Sequence, residues 1–162
     1  MASLIHLALY SHTGHTRDAG AQLASLLGSE TDLESIEAGD PPRGFWGFMR
    51  IGYGSWTGKA WAIRPPVPSK GQHLLVVGSP VWAGRLPPPV RSYLQQAARN
   101  YPRLAMLVTQ GGSSLTAFNA DATAAAGKSI AASVTLTDAD RKAAGVPERK
   151  LADFAAALKR LT

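Results

Sequence analysis

Hydrophobic positions along the chain switch repeatedly between two patterns. Residues 3–10 are almost continuously apolar, as expected of a strand buried on both faces of a parallel sheet. From Thr16 the apolar residues recur at helical spacing instead, as Ala19, Leu23, Leu26 and Leu27, with Gly28 as the stop. Residues 31–38 alternate without a clean face and read as an edge strand, a position that tolerates charge. A second buried run at 73–78 leads into a helix presenting Val90, Tyr93, Leu94 and Ala97, its start set by Pro87 to Pro89. Residues 104–108 predict a strand, followed by a helix carrying Leu115, Phe118, Ala122 and Ala125 that stops at Gly127. Residues 130–136 predict a fifth strand, 137–145 a loop, and Pro147 opens a helix with Leu151, Phe154, Ala155 and Leu158 facing inward. Its charges agree with the helix dipole, with Glu148 in the first turn and Lys159 and Arg160 in the last.

The segment 41–66 departs from this regularity. Phe45, Trp46, Phe48, Met49, Tyr53, Trp56 and Trp61 are interleaved with five glycines. Phe45, Phe48, Met49 and Gly52 lie at helical spacing and predict a helix near 43–56. Such a stripe either covers the sheet as a crossover or rims a planar ligand or partner surface.

Strands alternating with helices argue a three-layer α/β sandwich, because each crossover between parallel strands must pass over a face of the sheet. The length of 162 residues suits one compact domain spanning 1–162. No apolar run approaches the ~20 residues of a membrane span, and the N-terminus lacks signal-peptide features, so the expected location is cytoplasmic. The absence of cysteine excludes disulfides, thiolate catalysis and cysteine metal sites. Any redox chemistry therefore requires a bound cofactor. The net charge of +6 is uneven: between Asp40 and Asp121 there are nine basic residues and no acidic one, while the two ends together carry −3. That asymmetry points to an anionic ligand, an acidic partner, or a nucleic-acid or membrane surface, against the plainer reading of a solvated basic face.

Ligands of open parallel sheets gather at the carboxyl ends of the strands. Three loops lie there, at 11–16, 79–84 and 109–114, each rich in glycine, serine or threonine. The first follows a strand and opens a helix, where free amides and the dipole favour an anion. Ser-His-Thr-Gly-His-Thr at 11–16 resembles the flavodoxin-family phosphate loop, Ser/Thr-x-Thr-Gly-x-Thr. Ser-Pro-Val-Trp-Ala-Gly-Arg-Leu-Pro-Pro-Pro-Val at 79–90 resembles the flavin loop of small flavodoxin-like proteins, and Thr-Gln-Gly-Gly-Ser at 109–113 is similar to their third loop. The resemblance spans nearly the whole chain. It implies a flavodoxin-like three-layer sandwich with a five-stranded parallel sheet of order 2-1-3-4-5, and FMN held without a covalent bond.

By position, the resemblance assigns Ser11, Thr13, Gly14, His15 and Thr16 to the phosphate. It assigns Pro80, Val81, Trp82, Ala83 and Gly84 to the flavin ring, and Thr109, Gly111 and Gly112 to its pyrimidine side. Trp82 either stacks on the ring or caps the sheet. His12 and His15 are either phosphate-side groups that strengthen binding on protonation or exposed turn residues, and Arg17 reads as a surface residue. His15 stands where the family commonly has asparagine, and Gly111 and Gly112 replace the tyrosine that covers the flavin in many carriers, which leaves one ring face open. The basic middle half implies a less negative reduction potential than an acidic carrier has.

Competing phosphate motifs fail. Gly58-Lys59-Ala60 lacks the hydroxyl residue of an NTPase loop, and Gly127-Lys128-Ser129 has Ala122 where the first glycine belongs. A response-regulator receiver needs an aspartate where Ser79 stands, and no His, Asp or Glu cluster has metal-ligand spacing. Two function classes remain. One is an FMN-dependent oxidoreductase taking electrons from NADH or NADPH to a quinone-like acceptor, with Arg43, Arg50, Lys59 or Arg85 contacting the anionic donor. The other is an electron-transfer module docking on an acidic redox protein. A flavin-free scaffold or nucleic-acid binder is a third, remoter class; nucleic acid is not expected as a partner, and an oligomer is compatible with either reading.

Overall fold

The computed structural model describes residues 4–38 and 61–162. The helix predicted near 43–56, with Arg43, Arg50 and Lys59, lies outside the described residues. Five strands form one sheet: β1 (Ile5–Leu9), β2 (Thr31–Ser35), β3 (Leu74–Pro80), β4 (Arg103–Gln110) and β5 (Ala132–Thr137). All pairings are parallel and the order is β2-β1-β3-β4-β5. The expected topology is therefore the observed one, with 31–38 at an edge as its mixed pattern predicts. Strand β2 itself stops at Ser35; Ala38 instead forms an isolated antiparallel bridge with Ile63.

The central strands are buried apart from Arg103, Pro80 and Gln110 at their ends, because helices cover both faces. On one side α1 (His15–Leu27) and α5 (Val146–Lys159) pack Ala19, Leu23, Leu27, Leu151, Phe154 and Leu158 against Ile5, Leu7, Leu9, Leu74, Val76 and Leu107. On the other, α2 (Pro88–Ala97) and α3 (Thr116–Ala126) pack Val90, Tyr93, Leu94 and Phe118 against Ala8, Leu75, Val77, Leu104 and Met106. The helix positions singled out by periodicity in the described residues are buried, except Leu115 and Ala125, which are partly buried, and Leu26, which is 43% exposed. Leu9 fills the space between Gly20 and Gly78: a Cβ on either glycine would fall 2.2 Å or 2.4 Å from its methyls. Glycine at both positions lets α1 approach the sheet this closely.

The segment 137–145, expected as a loop, contains a short helix, α4 (Asp138–Lys142). Its cause is a capping box: Asp140 N–H donates to Thr137 Oγ1 (3.1 Å), and Thr137 N–H donates to Asp140 Oδ2 (2.8 Å). Lys150 of α5 donates to the same Asp140 oxygen at 2.8 Å and, with the Thr137 amide, holds that carboxyl down at about 2. Thr-x-x-Asp is legible in the sequence, but four polar residues in five give it no apolar face to betray a helix. Among the described residues no helix is long and apolar enough to cross a membrane.

Candidate functional site

The carboxyl ends of β1, β3, β4 and β5 converge on a cleft of about 210 Å³ lined by His12, Thr13, His15, Thr16, Pro80, Val81, Trp82, Thr109, Gln110, Gly111, Asp138 and Arg141. Its polar end is built by the turn into α1. Gly14 N–H donates to Ser11 Oγ (3.1 Å), so the Ser11 hydroxyl folds the loop, and Gly14 takes the N-cap place at φ 98. No side chain caps α1, and its first intrahelical bond runs from Asp18 N–H to Gly14 O. The amides of His15, Thr16 and Arg17 therefore precede any intrahelical acceptor and sit at the positive end of the dipole.

Beside them, Thr16 and Thr109 hold their hydroxyls 2.7 Å apart across the gap between α1 and β4, both residues nearly fully buried. In such a pair one hydroxyl donates to the other, and the accepting hydroxyl keeps its own proton to offer into the cleft. The sequence positions of these residues are 93 apart, so only the parallel register of the fold brings them together.

The apolar end is built by the residues after β3. Val81 N–H donates to Thr109 O (3.1 Å), tying this loop to β4. Trp82 and Arg85 then exchange both backbone bonds, at 3.1 and 2.9 Å, around a two-residue turn in which Ala83 (φ 50) and Gly84 (φ 73) are both left-handed. Trp82 lines the cleft and also makes edge contacts with Tyr10, His12 and Trp61, at centroid distances of 5.6, 6.2 and 6.4 Å. It caps the core and presents a face to the cleft at once. Burial pushes the Tyr10 hydroxyl up to about 12, so it stays neutral behind the tryptophan.

Asp121 of α3 anchors the same turn. Arg85 donates to its two oxygens through Nε and Nη2, both at 2.7 Å, Leu86 N–H adds a third bond, and Arg91 Nη2 lies 3.3 Å away. Burial raises the Asp121 carboxyl, but the Arg85 bonds, the Leu86 amide and the charge of Arg91 outweigh it and hold it below the ordinary aspartate value. Arg85, a candidate donor contact on sequence, is thus a strut of the loop.

Of the residues expected at the site, Thr13, His15, Thr16, Pro80, Val81, Trp82, Thr109 and Gly111 line one cleft. Ser11, Gly14, Ala83, Gly84 and Gly112 do not line it: the first four shape the turns that carry the lining residues, and Gly112 (φ 131) lies exposed just beyond Gly111. Arg17 is exposed, as expected of a surface residue. Gln110, Asp138 and Arg141 went unassigned on sequence. The rule that selected three strand ends selects the end of β5 as well, and Asp138 and Arg141 stand there as an ion pair one helical turn apart.

No family model matches the chain, and no curated protein does. Solved structures do. A flavoprotein from Lactobacillus acidophilus NCFM in complex with FMN superposes with a TM-score of 0.72 at 19% identity, covering 87% of this chain and 97% of that one. The fold is flavodoxin-like. A flavodoxin from the domain Archaea matches with a TM-score of 0.53 at 14% identity over 96% of this chain and 99% of its own. Rubredoxin oxygen:oxidoreductase from Desulfovibrio gigas matches at 0.58 and 16% identity; 99% of this chain corresponds to 37% of that longer one. A flavodoxin-like sheet thus stands behind the cleft, and what the cleft holds follows from its own residues.

Proposed function

We propose that the protein is an FMN-binding oxidoreductase that takes electrons from a reduced nicotinamide and delivers them to a quinone-like or other small acceptor. The observation that carries the flavin reading is the polarity of one continuous cleft. Uncapped amides of α1 and the Thr16–Thr109 hydroxyl pair stand at one end, and Pro80, Val81 and Trp82 at the other. This donor set fits a phosphate ester of a planar heterocycle, since neutral amides and hydroxyls bind a dianion without a competing ion pair. FMN, when bound, supplies hydride acceptance and stepwise electron release.

Thr13, Thr16 and the amides of residues 15–17 hold the phosphate in this reading, with the Thr109 hydroxyl beside them on Thr16 rather than at the pyrimidine side; Val81 and Trp82 line the ring, and Gly111 flanks its pyrimidine side. Gly111 and Gly112 put no side chain over the ring, which leaves a face for a small substrate. Pairing of the described cations favours this enzyme over a carrier that docks through its basic half. Of the six described cations in the acid-free span, Arg85 and Arg91 are paired with Asp121, Arg64 with Glu37 and Lys70 with Asp32, which lowers the described charge that can steer a partner.

The test is titration of flavin-free protein with FMN, followed by quenching of flavin fluorescence. Wild-type protein should bind, and Thr16→Val or Thr109→Val should weaken binding roughly 10- to 150-fold, the equivalent of about 1.5–3 kcal/mol for a hydrogen bond to a charged group. Unchanged affinity in both variants would remove the phosphate from this end. Loaded protein that oxidises NADH or NADPH without a separate reductase supports the enzyme; a requirement for a reductase supports the carrier.

A further inference from the structure

Two permanently charged side chains line the flavin cleft, Asp138 and Arg141, and both belong to α4. The cradle at the start of α1 is neutral, made of free amides and the Thr16–Thr109 hydroxyls. Neutral donors orient a phosphate, but drawing a dianion out of bulk water still costs free energy unless a countercharge stands near. Arg141 stands where that countercharge is needed.

It lines the cleft together with Thr13, His15 and Thr16. With His15, Asp18 and Gln22 it also lines a neighbouring hollow of about 240 Å³, so its side chain faces the N-terminal half of α1. A cation beside the positive end of a helix is unfavourably placed until an anion lies between them. The carboxylates around Arg141 do not fill that place. Asp18 and Glu148 line the hollow and not the cleft, and Asp138 Oδ1 holds the guanidinium from one turn away on the same helix. The other oxygen, Asp138 Oδ2, reaches towards β4 and lies 3.6 Å from where a Cβ on Gly111 would stand. The pair is therefore ordered along the cleft, guanidinium towards α1 and carboxylate towards the Gly111 loop. Its mount is firm, because the Thr137–Asp140 capping box and the Lys150–Asp140 bond fix α4 against α5. Asp138 engages Nη2; a guanidinium carries five donors in a planar fork, enough to meet two phosphate oxygens besides.

We propose that Arg141 is the charged ligand of the FMN phosphate, brought from the end of β5 to complete the neutral cradle on α1, and that it makes the site select FMN over unphosphorylated riboflavin. The inference rests on the flavin reading above. The experiment is calorimetric titration of flavin-free protein with FMN and with riboflavin, in the wild type, Arg141→Gln and Asp138→Asn. Arg141→Gln should weaken FMN roughly 10- to 150-fold, the range for a hydrogen bond to a charged group, while riboflavin changes less than about twofold. Added salt should weaken FMN binding to the wild type more than to Arg141→Gln, which has lost the charge that salt screens. Asp138→Asn removes a repelling carboxylate and keeps the arginine, so FMN should bind it no more weakly than the wild type. Unchanged FMN affinity in Arg141→Gln, an equal loss for riboflavin, or weakened FMN binding in Asp138→Asn would each overturn the assignment and leave the flavin site standing, since the wild type would still bind FMN. Unchanged FMN affinity with a raised KM for NADPH would give Arg141 to the nicotinamide donor and overturn the assignment equally. If the wild type binds neither flavin, both readings fall.

Discussion

The two faces of the sheet are built by different means. The face under α1 and α5 is aliphatic, with Ile5, Leu7, Leu9, Leu74, Val76 and Leu107 meeting Leu23, Leu27, Leu151 and Leu158, and Phe154 as the one ring among the described residues there. The face under α2 and α3 buries polar groups among its apolar ones: His6, Tyr93, Arg91 and Tyr101 are each 5% exposed or less. There Glu34 of β2 accepts from Tyr93 OH (2.7 Å) and Val67 N–H (2.8 Å), and lies 2.7 Å from His6 Nε2, so one carboxylate ties together β1, α2 and the segment before β3. Burial raises that carboxyl, but the bonds from His6, Tyr93 and Val67 outweigh it and keep it below the ordinary glutamate value. Burial, with Glu34 beside it, pushes the Tyr93 hydroxyl well up.

The difference teaches how each face fails. Dispersion and burial on the aliphatic face are non-directional, so loss of one side chain leaves a cavity and little else. On the polar face His6, Tyr93 and Arg91 each depend on a carboxylate, Glu34 or Asp121, and removing one member leaves another buried without compensation. The turn carrying Trp82 hangs from the polar face through Asp121, which couples that face to the cleft.

Asp121→Ala is the substitution expected to separate the faces most strongly. It strands Arg91, whose side chain is 7% exposed, and should cost about 3–5 kcal/mol in urea unfolding. Flavin affinity should fall as well, because Arg85 no longer anchors the turn. A loss below about 1 kcal/mol would mean that the arginines find water and that the polar face is not built on pairing. Next comes Leu151→Ala on the aliphatic face, expected to cost about 3 kcal/mol. Its unfolding free energy plotted against pH should run parallel to that of the wild type. A changed slope would show that charge reaches this face too.

The smallest effect belongs to Glu34→Gln, about 1–2 kcal/mol at neutral pH from weakened hydrogen bonds. Its signature lies in acid. A carboxyl held below its unfolded value contributes stability above that value and loses it as pH falls through the folded one. Wild-type stability should therefore drop below about pH 4.3, and Glu34→Gln should flatten that part of the curve. An unchanged acid limb would shift the origin of acid lability to Asp121 and Asp140, the other carboxyls held low.

Much of this architecture is legible in the sequence. Continuous apolar runs name the central strands, helical spacing names Leu23, Leu94, Phe118 and Leu158 as core, and the Ser/Thr/Gly loops at strand ends foretell the cleft. Those signals are local, since they depend on residues within a few positions of one another. The charge asymmetry is only partly legible for the complementary reason. Nine basic residues without an acid between Asp40 and Asp121 look like an open positive surface. In the folded chain Glu37, Asp32 and Asp121, at and beyond the borders of that span, reach four of them. Only tertiary structure places Thr16 on Thr109, Glu34 on His6 and Tyr93, and Arg141 in the same cleft as His15 and Thr16. Periodicity reports which face a residue turns inward, and a side chain's partner depends on which strands the crossovers bring side by side.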